Sequence, residues 1–158
     1  MRIILTVIIL FVSMLANSQE ERDTTLARCP VYITDTVSLN NFFLEFQPST
    51  INVSRNKGKL TIRIQQKDQF FTMFFHDNKL KNSRYKVTPD ANNKNEVGAK
   101  YSFRSGSSAS FVDISNGFIE TNYDKEKELW HLKMNGMLAN LVGRSVTYYK
   151  VRAEFYIK

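Results

Sequence analysis

From residue 149 to the last residue the chain alternates strictly between apolar and polar side chains. Tyr149, Val151, Ala153, Phe155 and Ile157 point one way, and Lys150, Arg152, Glu154, Tyr156 and Lys158 point the other. A period of two is the mark of a strand with one face in a core and one in water. Leu60, Ile62 and Ile64 repeat the pattern against Thr61, Arg63 and Gln65. These stretches commit the chain to sheet, with its final strand in the core.

The remaining strands follow from shorter signals. Residues 70–75 (Phe-Phe-Thr-Met-Phe-Phe) are apolar on both faces and predict a central strand covered on both sides. Tyr85 with Val87, and Tyr101 with Phe103, mark two more strands. Residues 111–114 and 118–123 flank Ser115-Asn116-Gly117, where the Asn-Gly step predicts a tight hairpin. Trp130, Leu132 and Met134 alternate up to Asn135-Gly136, which reads as a bulge or bend. The alternation then resumes at Met137, Ala139 and Leu141. Leu39, Phe42, Phe43 and Phe46 instead fall at helical spacing behind Ser38, which predicts a short helix or irregular crossover over 39–46. Residues 89–96 form the longest polar stretch, a loop. About nine strands with tight turns predict a single-domain antiparallel β-sandwich over residues 30–158, with a lipocalin-like β-barrel as the alternative.

The N-terminus gives an address. Arg2 precedes an apolar run over 3–15, and Ala16-Asn17-Ser18 supplies small residues for cleavage. Residues 1–18 therefore read as a secretory signal peptide, followed by a flexible tether over 19–29. The apolar run is shorter than the roughly 20 residues of a spanning helix, so no transmembrane segment is expected in the mature chain. The single cysteine, Cys29, follows Arg28, which argues against lipid attachment, and one Cys makes no internal disulfide.

Composition is that of a folded domain, 42% hydrophobic and 13% aromatic, with a net charge of +7. The positive surplus sits between residues 55 and 104, which hold twelve basic against four acidic side chains. Arg63, Lys79, Lys81, Arg84 and Lys86 are the candidate face for an anionic partner. Outside the cytoplasm such a partner is a protein or an anionic glycan or lipid of the envelope, not a nucleic acid.

No catalytic set stands out, so the chain reads as non-enzymatic and needs no cofactor. The two histidines, His76 and His131, share no metal-ligand spacing, and Cys29 lies in the expected tether. Asp90, Asn92, Lys94 and Glu96 echo a calcium loop, but Lys94 would oppose the cation. Asn122, Asp124, Glu126 and Glu128 are interleaved with lysines and read as a solvated hairpin tip. Tyr148, Tyr156 and the second face of residues 70–75 are aromatics that could stack on sugar rings. Asn52-Val53-Ser54 matches a glycosylation acceptor.

The C-terminal third, with Gly117-Phe118-Ile119-Glu120-Thr121-Asn122-Tyr123-Asp124, then Asn135-Gly136, then a closing Phe155-Tyr156-Ile157, resembles small secreted β-sandwich domains of unknown function abundant in Bacteroidota. It departs from them at Trp130-His131 and Tyr148-Tyr149. The resemblance implies an envelope location and a sandwich, and carries over no functional residues. The expected function is an exported binding or structural domain with a basic face. A periplasmic immunity or inhibitor protein and a carrier of a small apolar ligand are the alternatives.

Overall fold

The computed structural model describes residues 21–28, 30–40, 48–142 and 145–158. Ten strands follow one another: β1 (Glu21–Ala27), β2 (Val31–Asp35), β3 (Ser49–Asn56), β4 (Lys59–Gln66), β5 (Gln69–Phe75), β6 (Ser83–Val87), β7 (Glu96–Ser105), β8 (Ser108–Asp124), β9 (Leu129–Val142) and β10 (Ser145–Ile157). The fold is all-β, with no helix among the described residues. The expected signal segment, Cys29 and residues 41–47 lie outside the described residues, so the 39–46 expectation touches them only at Leu39 and Asn40.

Two-residue turns at Lys57-Gly58 and Lys67-Asp68 connect β3 to β4 and β4 to β5. Lys57, Gly58 and Lys67 take the positive φ angles such turns require. All ten strands form one sheet, in the order β1-β3-β4-β5-β7-β6-β8-β9-β10-β2. Pairing is antiparallel except between β6 and β7. β1 and β2 lie at opposite edges, yet only three residues join them, so Ala27 and Val31 are at most about 14 Å apart. The sheet must therefore roll round on itself. Arg55 of β3 donates to the Lys158 carbonyl at 3.0 Å, joining the two halves directly. Ile51, Ile62 and Met73 from one half share a single buried cluster with Ile33, Leu132 and Phe155 from the other. The two halves of one continuous sheet thus share one core, and the sheet is not closed into a barrel.

The strict alternations hold. Leu60, Ile62 and Ile64 are fully buried, as are Val151, Ala153, Phe155 and Ile157. Four other expectations are corrected. Residues 19–29 are not simply a tether, because 21–27 form β1 along β3. Backbone pairing does not need apolar side chains, and the polar Glu-Arg-Asp-Thr run suits a sheet edge. β5 is central but not covered on both sides, since Phe74 is 40% exposed.

Asn116-Gly117 makes no hairpin. β8 runs unbroken through it, with Asn116 at φ 52 and a bulge where two β8 residues face Gly136 alone. There β8 exchanges one neighbour for another, pairing with β7 through Asp113 and with β6 from Gly117. Asn135-Gly136 is no bulge, because β9 keeps its register against β10 throughout. The alternation therefore passes through Gly136, so that Leu138 is buried and Met137 faces outward.

Candidate functional site

Cross-strand register assembles the outer face of one half of the sheet. One row reads Lys86, Phe118, Asn135, Arg152, Tyr32 across β6, β8, β9, β10 and β2. The next reads Arg84, Glu120, Lys133, Glu154. Lys150 follows Arg152 on the same side of β10, opposite Met137 and Thr34. With strands about 4.8 Å apart, Lys86 and Arg152 stand roughly 14 Å from each other at the Cα level.

Two acidic residues on this face are already engaged. Glu120 meets Arg84 at 3.7 Å, and the Arg84 guanidinium lies 3.5 Å over the Phe118 ring. Glu154 takes Lys133 at 3.2 Å and His131 at 2.9 Å, and these contacts, Lys133 first, hold its carboxyl below the ordinary range. Lys86, Lys150 and Arg152 have no carboxylate within ion-pair distance among the described residues. A groove of about 500 Å³ runs beside them, lined by Tyr32, Thr34, Lys133, Lys150, Arg152 and Glu154.

Lys79 and Lys81 lie on the loop that leads into β6. Buried Thr121 of β8 donates its hydroxyl to the Lys81 carbonyl, and the Tyr123 amide donates to Asn82 at 2.7 Å. Lys81 reaches Asp77 at 3.6 Å and Lys94 reaches it at 3.9 Å. The Lys79 amide, then these two ammoniums, hold the Asp77 carboxyl below its usual range. Four of the five expected basic residues therefore fall on one loop-and-strand segment. Arg63 does not join them. It projects from β4 between Asn52 and Thr72, with β5 and β7 intervening before β6.

Sequence reasoning missed Lys133, Lys150 and Arg152. Their positions were legible as the outward face of their strands, but their alignment with Lys86 depends on the β8 bulge that sets the register.

The other candidates resolve into structural roles. His76 Nε2 bonds the Ala91 carbonyl at 2.8 Å and pins the 89–96 loop. His131 stacks on Tyr156 with ring centroids 4.4 Å apart. Asp124 accepts the Glu126 and Lys127 amides at 3.1 Å each and shapes the β8–β9 turn. No group of three or more potential metal ligands gathers among the described residues. No helix among them is long and apolar enough to cross a membrane. Tyr148 is exposed on β10, and Tyr156 is partly covered by Lys127, whose Nζ lies 4.3 Å over its ring.

Comparison with protein-family models, with curated proteins and with solved structures gives no match for this chain.

Proposed function

We propose that the chain is an exported, non-enzymatic binding domain that docks an acidic protein on the outer face of β6, β8, β9, β10 and β2. The observation that carries this reading is the trio Lys86, Lys150 and Arg152, aligned by register on one face and, among the described residues, without acidic neighbours at ion-pair distance. Such a face raises the local concentration of an acidic partner and speeds encounter. A protein suits it better than a linear polyanion. Tyr32, Phe118 and Met137 are interspersed with the cations, and Tyr and Arg are the side chains that anchor protein interfaces. Glu120 and Glu154 break the positive field that a polyanion would need. An inhibitor or immunity protein acting on an enzyme or toxin of the same compartment belongs to this class.

The test is capture of partners from envelope and secreted fractions by tagged mature chain (residues 19–158), in parallel with a Lys86→Glu/Arg152→Glu variant, at low and high salt. The reading expects one stoichiometric acidic protein, lost at high salt and lost in the variant. Capture indifferent to both changes, or no stoichiometric protein, would sink it.

A further inference from the structure

The two ends of the rolled sheet differ in what they show to solvent. Strand directions put the close of β1, the loop after β2, the β4–β5 and β7–β8 turns, the end of β9 and the start of β10 at one end. Ten large apolar side chains stand well exposed among the described residues, and seven of them lie at this end. Leu26 closes β1, and Val37 (88% exposed) and Leu39 lie in the loop after β2. Phe103 and Phe111 (65% exposed) flank the β7–β8 turn, and Val146 and Tyr148 open β10. The opposite end has two of the ten, Phe74 and Tyr123, and the Tyr123 ring packs on Trp130 with centroids 5.3 Å apart. Exposed apolar residues scattered singly are ordinary, but a set gathered at one place marks an interaction site.

Charge divides the same way. At the apolar end Arg28, Lys67 and Arg104 are exposed, with no carboxylate within ion-pair distance among the described residues. The described carboxylates there are Asp35, which accepts the Val37 and Ser38 amides at 2.6 and 3.0 Å, and Asp68 of the β4–β5 turn. Residues 105–110 (Ser-Gly-Ser-Ser-Ala-Ser), between Arg104 and Phe111, are exposed and uncharged, so this hairpin tip has no ionised group to strip of water. Asp90, Asp124, Glu126 and Glu128 belong to the connections at the opposite end.

We propose that this end docks on a phospholipid surface with anionic headgroups, Phe111, Val146 and Tyr148 entering the interface and Arg28, Lys67 and Arg104 meeting the phosphates. Apolar side chains carried on separate tips suit a fluid surface, which closes around each one, better than a rigid partner, which must match all the tips at once. In such shallow binding the apolar area buried and the attraction of each Lys or Arg to anionic lipid act together. The acidic connections of the opposite end then face away from the membrane. The site lies at an end of the sheet and does not depend on the outer-face reading.

The experiment is vesicle flotation with residues 19–158, which hold every strand and omit the apolar run over 3–15 that would bind lipid unaided. The vesicles are phosphatidylcholine, alone or mixed equally with phosphatidylglycerol. Binding to the mixed vesicles is expected, and severalfold less to phosphatidylcholine alone. Phe111→Ser/Tyr148→Ser changes only exposed side chains, so the fold should persist, with circular dichroism as the check. Binding should then fall about tenfold or more, since taking one large apolar side chain out of water is enough for that factor. Lys67→Glu/Arg104→Glu should remove the preference for mixed vesicles, whereas Lys57→Glu/Lys59→Glu, at the opposite end, should keep it. Trp130, the single tryptophan, also lies at the opposite end, so its emission should stay fixed on binding, and a Phe111→Trp variant should gain a blue-shifted component. Absence of binding to the mixed vesicles would overturn the proposal. So would binding that survives Phe111→Ser/Tyr148→Ser, a preference lost equally in both charge variants, or a stable dimer in lipid-free solution that Phe111→Ser/Tyr148→Ser breaks, which would make a second copy the occupant.

Discussion

Gly136 of β9 lies directly against Ile114 of β8: a β-carbon built on Gly136 would stand 2.8 Å from Ile114 Cγ2 and 3.3 Å from Met134 Cε. The missing side chain lets Ile114 fill the inward position at the bulge. Across the strand pair, a β-carbon on Gly117 would collide with the Asn135 carbonyl oxygen and come within 2.6 Å of Gly136 Cα. The neighbours differ in kind. Side chains next to Gly136 can yield, whereas backbone next to Gly117 cannot without spoiling the register. Gly136→Ala should therefore cost roughly 1–3 kcal/mol, the usual range for overpacking. Gly117→Ala should cost more. Urea unfolding midpoints of the two variants would test the order, and equal midpoints would argue against the bulge geometry.

Thr121 joins core stability to the basic segment. It is fully buried, and its hydroxyl serves the Lys81 carbonyl and, at 3.4 Å, the Ser83 carbonyl. Thr121→Val keeps the volume but strands those acceptors. The expected cost is about 1–3 kcal/mol. Hydrogen exchange should quicken in the residues 79–84 segment more than in β9 or β10. Uniform quickening across the sheet would mean that Thr121 supports the core alone.

Much of this fold was legible because burial imposes a period of two wherever one face of a strand is wet. Residues 60–64 and 149–157 carried that signal cleanly. Where a glycine occupies an inward position the signal breaks, as at Gly136, and the apolar Met137 that follows mimics an inward position although it faces outward. Asn116-Gly117 has hairpin chemistry, yet β8 pairs with β9 on both sides of it, and that long-range pairing overrides the local turn preference. β1 left almost no apolar trace because an edge strand is held by backbone bonds to β3. Of the candidate site, Lys79, Lys81, Arg84 and Lys86 were visible as a local run of charge. Lys133, Lys150 and Arg152 were not, because their proximity to Lys86 arises only from register across four strands.

The C-terminal strand should tolerate no shortening into its buried positions. Phe155 and Ile157 are buried, and they pair with Leu132 and Trp130 of β9. Ile157→Ala should cost roughly 2–5 kcal/mol, the usual range for a buried aliphatic truncated to alanine. Deleting residues 155–158 also removes the Lys158 carbonyl that Arg55 reaches. That deletion should abolish the cooperative thermal transition, whereas a two-state melt close to that of the full chain would show that the rolled sheet closes its core without the end of β10.

Acid should weaken the fold through carboxylates held below their ordinary range. Glu154 is held down first by Lys133 and then by His131, Asp124 first by the Lys127 amide, Asp77 first by the Lys79 amide and Asp35 first by the Ser38 amide. A group whose folded value lies below its unfolded one stabilises the fold above the unfolded value. That contribution is lost as pH falls through the folded one. Stability should thus be level from neutrality to about pH 5 and decline below about pH 4, where ordinary carboxylates begin to protonate. Glu154 is exposed and Asp35, Asp77 and Asp124 are only partly buried, so the individual contributions are small. The sharper reading is at one residue. Lys133→Met removes the first cause acting on Glu154, and its carboxyl should then titrate at higher pH in a carbon-detected NMR titration, while Asp124 keeps its midpoint. An unmoved Glu154 would assign its depression to His131 instead.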